Sequence, residues 1–102
     1  MKPRFAFFAV FALFSLASPL FAEVTLAGGD GSSFEKAILV QGATEATGVP
    51  AEYAYLRKHY PGYVFTRQSL LNHKDRLYDA LDFTWEGKRY TVYFDITEFF
   101  GK

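Results

Sequence analysis

The chain has 102 residues, eleven basic and eleven acidic, two histidines and no cysteine. That composition excludes disulfide staples, thiolate catalysis, cysteine-built metal sites and a lipid-modified N-terminal cysteine. Charge this evenly balanced, with no run of either sign, argues against a nucleic-acid ligand or a polybasic membrane contact.

Residues 1–22 read as a secretory signal peptide. Lys2 and Arg4 form a positive n-region, Phe5 to Leu16 form an apolar run too short to span a membrane, and Ala22 ends a cleavage region. A cut after Ala17, with Ser15 three residues back, is the second choice. An uncleaved anchor is the competing reading, but no longer apolar run or stop-transfer pattern follows. The mature chain then runs from Glu23 to Lys102, 80 residues with nine basic and eleven acidic side chains, a formal charge near −2. This is enough for one small domain with a thin core, without room for a second. Seven tyrosines, six phenylalanines and one tryptophan supply much of that core.

Residues 23–33, EVTLAGGDGSS, read as a flexible leader, because three glycines raise the entropy cost of ordering it. The glycines match neither GxGxxG nor the GKS/T pattern, so a phosphate-cradling loop is not supported. Residues 34–102 form the single folded domain. Phe34 to Gln41 holds the run Ile38, Leu39 and Val40 and reads as the first strand; Gly42 to Gly48 is a connection. From Pro50 to Tyr60 the period changes. Val49, Tyr53, Leu56 and Tyr60 share one face of an amphipathic helix, with Pro50 in the first turn, Glu52 suited to the N-terminal end of the dipole and Pro61-Gly62 as the stop. Its polar face is not basic enough for a membrane surface, so it is expected to pack on a sheet.

Tyr63 to Asn72 is the second strand, and its facing depends on the loop that follows. A loop at His73-Lys74 sends Val64, Thr66, Gln68 and Leu70 to the core, whereas a three-residue loop from His73 to Asp75 sends Tyr63, Phe65, Arg67, Ser69 and Leu71. The second choice is favoured, because it sets Arg67 diagonal to Asp79, the one acidic residue on the apolar face of the next hairpin. That hairpin spans Arg76 to Thr97. Leu77, Leu81, Phe83 and Trp85 alternate with polar residues in its first half, and Tyr90, Val92, Phe94 and Ile96 in its second. A two-residue turn at Glu86-Gly87 pairs Phe83 with Tyr90, Leu81 with Val92 and Leu77 with Ile96, which puts every apolar residue on one face. Phe99 and Phe100 in the tail are expected to tuck against a core edge.

The expected fold class is α+β: one strand, one helix, then a three-strand antiparallel meander, with the helix packed on one face of the sheet. The other face of the hairpin carries Tyr78, Tyr93 and Asp95, candidate binding residues because rigid, amphipathic tyrosines make usable recognition surfaces. Catalytic constellations are sparse. His59 and His73 fit no metal-ligand spacing, serines 32, 33 and 69 have no nucleophile-elbow context, and no cofactor motif is present. Asp79, Asp82 and Asp95 are the carboxylates that could work in proton transfer.

The runs AEYAYLRKHYPGY, YDAL and GKRYTVYFDITEFFGK, with the GDGSS segment before them, resemble small exported bacterial proteins with a GDGSS-type leader and a YFDIxxFFG ending. No activity or functional residue comes with that resemblance. In architecture alone the element order is similar to cystatin-like and periplasmic inhibitor-like folds, but the cystatin QxVxG signature is absent. The sequence thus points to an exported, periplasmic or extracellular, non-catalytic binding domain for a protein or small ligand of the cell envelope, without cofactor, nucleic acid or membrane span. The alternatives are a small periplasmic enzyme using Asp79 or a histidine, or a structural envelope protein. A cleft of polar groups converging on Asp79 favours the enzyme; an open surface bearing Tyr78 and Tyr93 favours binding.

Overall fold

The computed structural model describes residues 23–102, and the export signal expected over residues 1–22 lies outside them. The fold is α+β, one helix on a five-stranded sheet. In chain order the elements are β1 (Thr25–Gly28), β2 (Ile38–Gln41), α1 (Glu45–His59), β3 (Val64–His73), β4 (Arg76–Trp85) and β5 (Lys88–Asp95). The predicted order of strand, helix and meander is present, but the sheet is mixed. Its spatial order is β1-β2-β5-β4-β3, with β2 parallel to β5 and all other pairs antiparallel.

Strand β1 lies inside the segment expected as a flexible leader. Thr25 pairs with Gln41 and Gly28 with Ile38, so this stretch is an edge strand. The first strand itself is shorter than expected. Only Ile38 to Gln41 are extended, and just Ile38 and Leu39 pair with Phe94 and Asp95. Beyond that short ladder the GDGSS loop takes over the edge of β5: the Tyr93 N–H donates to the Gly31 carbonyl at 2.8 Å, and the Gly31 N–H to the Lys36 carbonyl at 2.7 Å. The glycine-rich segment thus closes backbone groups that β2 is too short to reach.

The hairpin forms as the alternation requires. Phe83 pairs with Tyr90 and Leu81 with Val92, and the Ile96 N–H donates to the Leu77 carbonyl at 2.9 Å. Glu86 and Gly87 both have positive φ, 51° and 80°, the mark of a type I′ turn whose twist matches the strands it joins. The odd residues of β4 and the even residues of β5 face the helix. Leu81, Phe83, Val92, Phe94 and Ile96 are buried there with Ile38, Val40, Leu56 and Phe99. Leu81→Ala should cost about 2–4 kcal/mol, against less than about 1 kcal/mol for Thr84→Ala on the other face. Urea denaturation of the two variants checks this, and equal losses would contradict the facing.

The helix begins earlier than its apolar stripe suggests. Thr44 is the N-cap, its N–H donating to Thr47 Oγ1 at 2.9 Å and its carbonyl accepting from the Gly48 N–H at 2.7 Å. Pro50 therefore sits in the second turn. Its missing N–H would have served the Ala46 carbonyl, and both residues are exposed, so water can take that bond. Because β2 and β3 are separated by β5 and β4, the connection must span three inter-strand gaps, about 14 Å, and a helix this long spans about 22 Å. The chain path alone thus lays α1 across the sheet. Ring contacts of Tyr55 with Phe94, Tyr60 with Phe83 and Tyr53 with Phe65 fix it there.

Strand β3 departs most from expectation. The turn before β4 is Lys74-Asp75, both in the left-handed region with φ of 52° and 64°, so His73 pairs with Arg76 and Leu70 with Asp79. This turns Asn72, Leu70 and Gln68 to the helix side and Leu71, Ser69 and Arg67 to the other. A bulge between Phe65 and Arg67 then flips the parity, returning Phe65 to the helix side opposite Phe83. Of the favoured inward set, Phe65 faces as expected and Arg67, Ser69 and Leu71 do not. Arg67 does not meet Asp79; its Nη2 and Nε lie 2.9 and 3.2 Å from Asp82 Oδ2.

Candidate functional site

The outer-face residues come together, but under cover. Phe34, from the loop before β2, lies 4.9 Å from the Tyr78 ring, 4.7 Å from Tyr93 and 4.1 Å from His73, on which it stacks nearly parallel. Tyr78 is left 5 % exposed, so the open tyrosine face is replaced by an aromatic cluster closed by the loop. Asp95 is also buried and fully engaged. Burial raises its pKa, but hydrogen bonds from Arg76 and Thr97 outweigh that and hold it below the usual carboxylate range. Arg76 Nε lies 2.6 Å from Oδ2 and Thr97 Oγ1 2.7 Å from Oδ1. Asp82 is satisfied as well, by Arg67 and by Thr91 Oγ1 at 2.7 Å. These carboxylates hold the sheet together and have little capacity left for a ligand.

Asp79 is different. It points to the helix side from the middle of β4, is 4 % exposed, and makes no ion pair among the described residues. Above it lies Glu52, 0 % exposed. The buried stripe of α1 is Gly48, Glu52 and Leu56, four residues apart, so Glu52 sits mid-helix between a glycine and a core leucine rather than at the N-terminal end. Burial, the charge of Asp79 and hydrogen bonding with it push the Glu52 pKa up to about 10. The two carboxyls thus lie close enough to share a proton, yet neither Glu52 oxygen meets strict hydrogen-bond geometry with any described group. At neutral pH Glu52 is a neutral acid.

Asp79 forms part of the wall of a cleft of about 340 Å³ that opens between the start of α1, strands β3 and β4 and the C-terminal turn. Val49, Leu70, Ile96, Phe99 and Phe100 make it largely apolar, and Leu70 and Phe100 are exposed at its mouth. Its other polar groups are Glu45 and Gln68. Glu45 Oε2 accepts the Gly101 N–H at 2.6 Å and ties the C-terminal turn over the cleft, while Gln68 Oε1 accepts the Tyr53 hydroxyl at 2.8 Å. Among the described residues the lining contains two carboxyl groups and no lysine, arginine, histidine, serine or threonine.

The histidines stand elsewhere. His59 lies against Tyr55 at the end of α1, with ring centroids 4.1 Å apart, and His73 belongs to the outer cluster, its Nε2 3.9 Å from Glu35. Among the described residues no three histidine, cysteine or acidic side chains are grouped to hold a metal, and no helix is long and apolar enough to cross a membrane. Asp79 was legible as an acid out of place on an apolar face; Glu52 was not, although its four-residue spacing from Leu56 was a signal. No family model, curated protein or solved structure matches this chain.

Proposed function

We propose that the protein is an exported, non-catalytic binding domain, and that it binds a small ligand of the cell envelope in the cleft at Asp79 rather than on the face of Tyr78, Tyr93 and Asp95. The observation that carries this reading is a buried carboxyl without a counter-charge among the described residues, in the wall of an apolar, open cleft. Ligand sites combine apolar walls with a few available polar groups, and of the sheet's carboxyls Asp79 is the one that no arginine or threonine engages among the described residues. Among the described residues the lining offers no hydroxyl or imidazole nucleophile and no cation to stabilise developing negative charge, which favours binding over catalysis.

A second reading, an enzyme using Asp79, draws on one observation: two carboxyls with one proton between them are a known acid–base device. A single experiment separates the readings. The protein is recovered from the periplasmic or extracellular fraction, its N-terminus is read by mass spectrometry, and the ¹⁵N-labelled form is titrated with a low-molecular-mass envelope extract. The expected result is a mature chain starting at Glu23, with shifts at Gln68, Leu70, Asp79 and Phe100 and no chemical change in the extract. Time-dependent conversion that stops in Asp79→Asn would favour the enzyme. Shifts confined to Tyr93 and its neighbours would move the site to the outer face, and retention of Met1 would contradict export.

A further inference from the structure

The charge around the cleft is one-sided. Glu45 and Asp79 line it, Glu52 lies behind Asp79, and no basic residue lines it among the described residues. Glu45 has a partner in the Gly101 N–H. Asp79, more than nine-tenths buried, forms no ion pair among the described residues; its neighbour is the Glu52 carboxyl, whose oxygens have no other partner there. A buried carboxylate without a counter-charge is costly, and a cation brought by a ligand removes that cost. A metal ion is a poor candidate, because two or three carboxyls among phenylalanines supply too few oxygen ligands and the space far exceeds one ion. An anion meets only repulsion.

We propose that the cleft takes a small molecule bearing a primary ammonium on an apolar, aromatic-sized body, with the ammonium on Asp79 and the body between Leu70, Phe99 and Phe100. This inference rests on the cleft being the binding site. An ammonium has three donors. Asp79 offers carboxylate oxygens, and Gln68 Oε1, which accepts one bond from Tyr53, keeps a second lone pair. The phenylalanine rings add apolar contact and a face that attracts cations. Glu52 acts through Asp79 as a positioning residue: it lies against the Asp79 carboxyl and supplies no counter-charge, which is left to the ligand.

The test uses three probes of one shape at pH 7: phenethylamine, which is cationic there, 2-phenylethanol, which is neutral, and phenylacetate, which is anionic. Each is titrated into the ¹⁵N-labelled mature protein. The amine should give saturable shifts at Gln68, Leu70, Asp79 and Phe100, bind at least tenfold more tightly than the alcohol, and weaken as salt is raised from 0.05 to 0.5 M while the alcohol does not. Phenylacetate should give no shifts there. Asp79→Asn should remove the preference for amine over alcohol, and Glu86→Gln, in the distant hairpin turn, should leave it unchanged. Equal binding of amine and alcohol at the cleft, insensitive to salt, would overturn the ammonium assignment and leave the cleft reading standing. Shifts that avoid the cleft for all three probes would overturn both. The salt series on the unmodified protein decides the matter even if Asp79→Asn does not fold.

Discussion

Glu52→Gln should make the protein more stable at neutral and alkaline pH and flatten its stability profile. The Glu52 pKa rises from an ordinary 4.5 to about 10 in the folded protein, first because of burial and then because of Asp79. Below 4.5 both folded and unfolded chains carry the proton, and the group costs nothing. Between that value and about 10 the unfolded chain releases the proton while the folded chain keeps it, so the free energy of unfolding falls as pH rises. The slope approaches ~1.4 kcal/mol per pH unit, and the loss levels off above the folded pKa. Glutamine keeps the shape, cannot titrate and can donate its amide to Asp79. The variant should therefore gain on the order of 2 kcal/mol or more over the parent at pH 8 and almost nothing at pH 4.5. Urea unfolding of both proteins at pH 4.5, 6.5 and 8.5 reads this directly. Parallel profiles would mean that Glu52 ionises inside the fold.

Phe99→Ala should cost about 3–5 kcal/mol, as large as any core truncation in the sheet, although Phe99 lies beyond the last strand. The ring is 2 % exposed and rests on the bare backbone of Gly48; a Cβ on that glycine would sit 2.5 to 2.9 Å from three ring carbons. Gly48→Ala gains about 1 kcal/mol of helix propensity and loses more to the clash, about 1–3 kcal/mol, for a net destabilisation. In the double variant the new methyl enters space the ring has left. Its loss should fall below the sum of the single losses, and additivity in denaturant titrations would show that the two residues do not share one site.

What could be read from the residues follows from where the core lies. The β4–β5 hairpin has one buried and one polar face, so its alternation carries register information, and Leu81 and Val92 meet as the pattern requires. Strand β3 is mostly exposed on both faces, with Val64, Phe65 and Leu70 all open to solvent, so its pattern records no burial. Its turn, Lys74-Asp75, has no glycine to advertise the left-handed backbone, and the bulge after Phe65 changes parity without a sequence mark. A single stripe could not describe such a strand. The helix was legible as a helix, but placing its start at Pro50 put Glu52 in the first turn, where an acid needs no explanation. With the start at Thr44, Glu52 becomes a buried acid above Asp79, and the candidate site moves from the tyrosines to the cleft. Phe34 completed that move: nothing in its loop announced that it would fold back over Tyr78 and Tyr93.

The central position of β5 constrains the order in which the domain can assemble. It is the last strand in chain order, yet it lies between β2 and β4, and β1 and β2 join the sheet only through it and the loop beside it. A chain emerging from synthesis can form α1 and the β3–β4 hairpin from local contacts, but the β1–β2 pair has no sheet to join until β5 is complete. The parallel pairing of Ile38 with Phe94 closes a loop of more than fifty residues, a slow and entropically costly event compared with a two-residue hairpin. Loop-closure entropy thus sets the docking of the β1–β2 pair on β5 apart from the local β3–β4–β5 meander as the costly step of assembly.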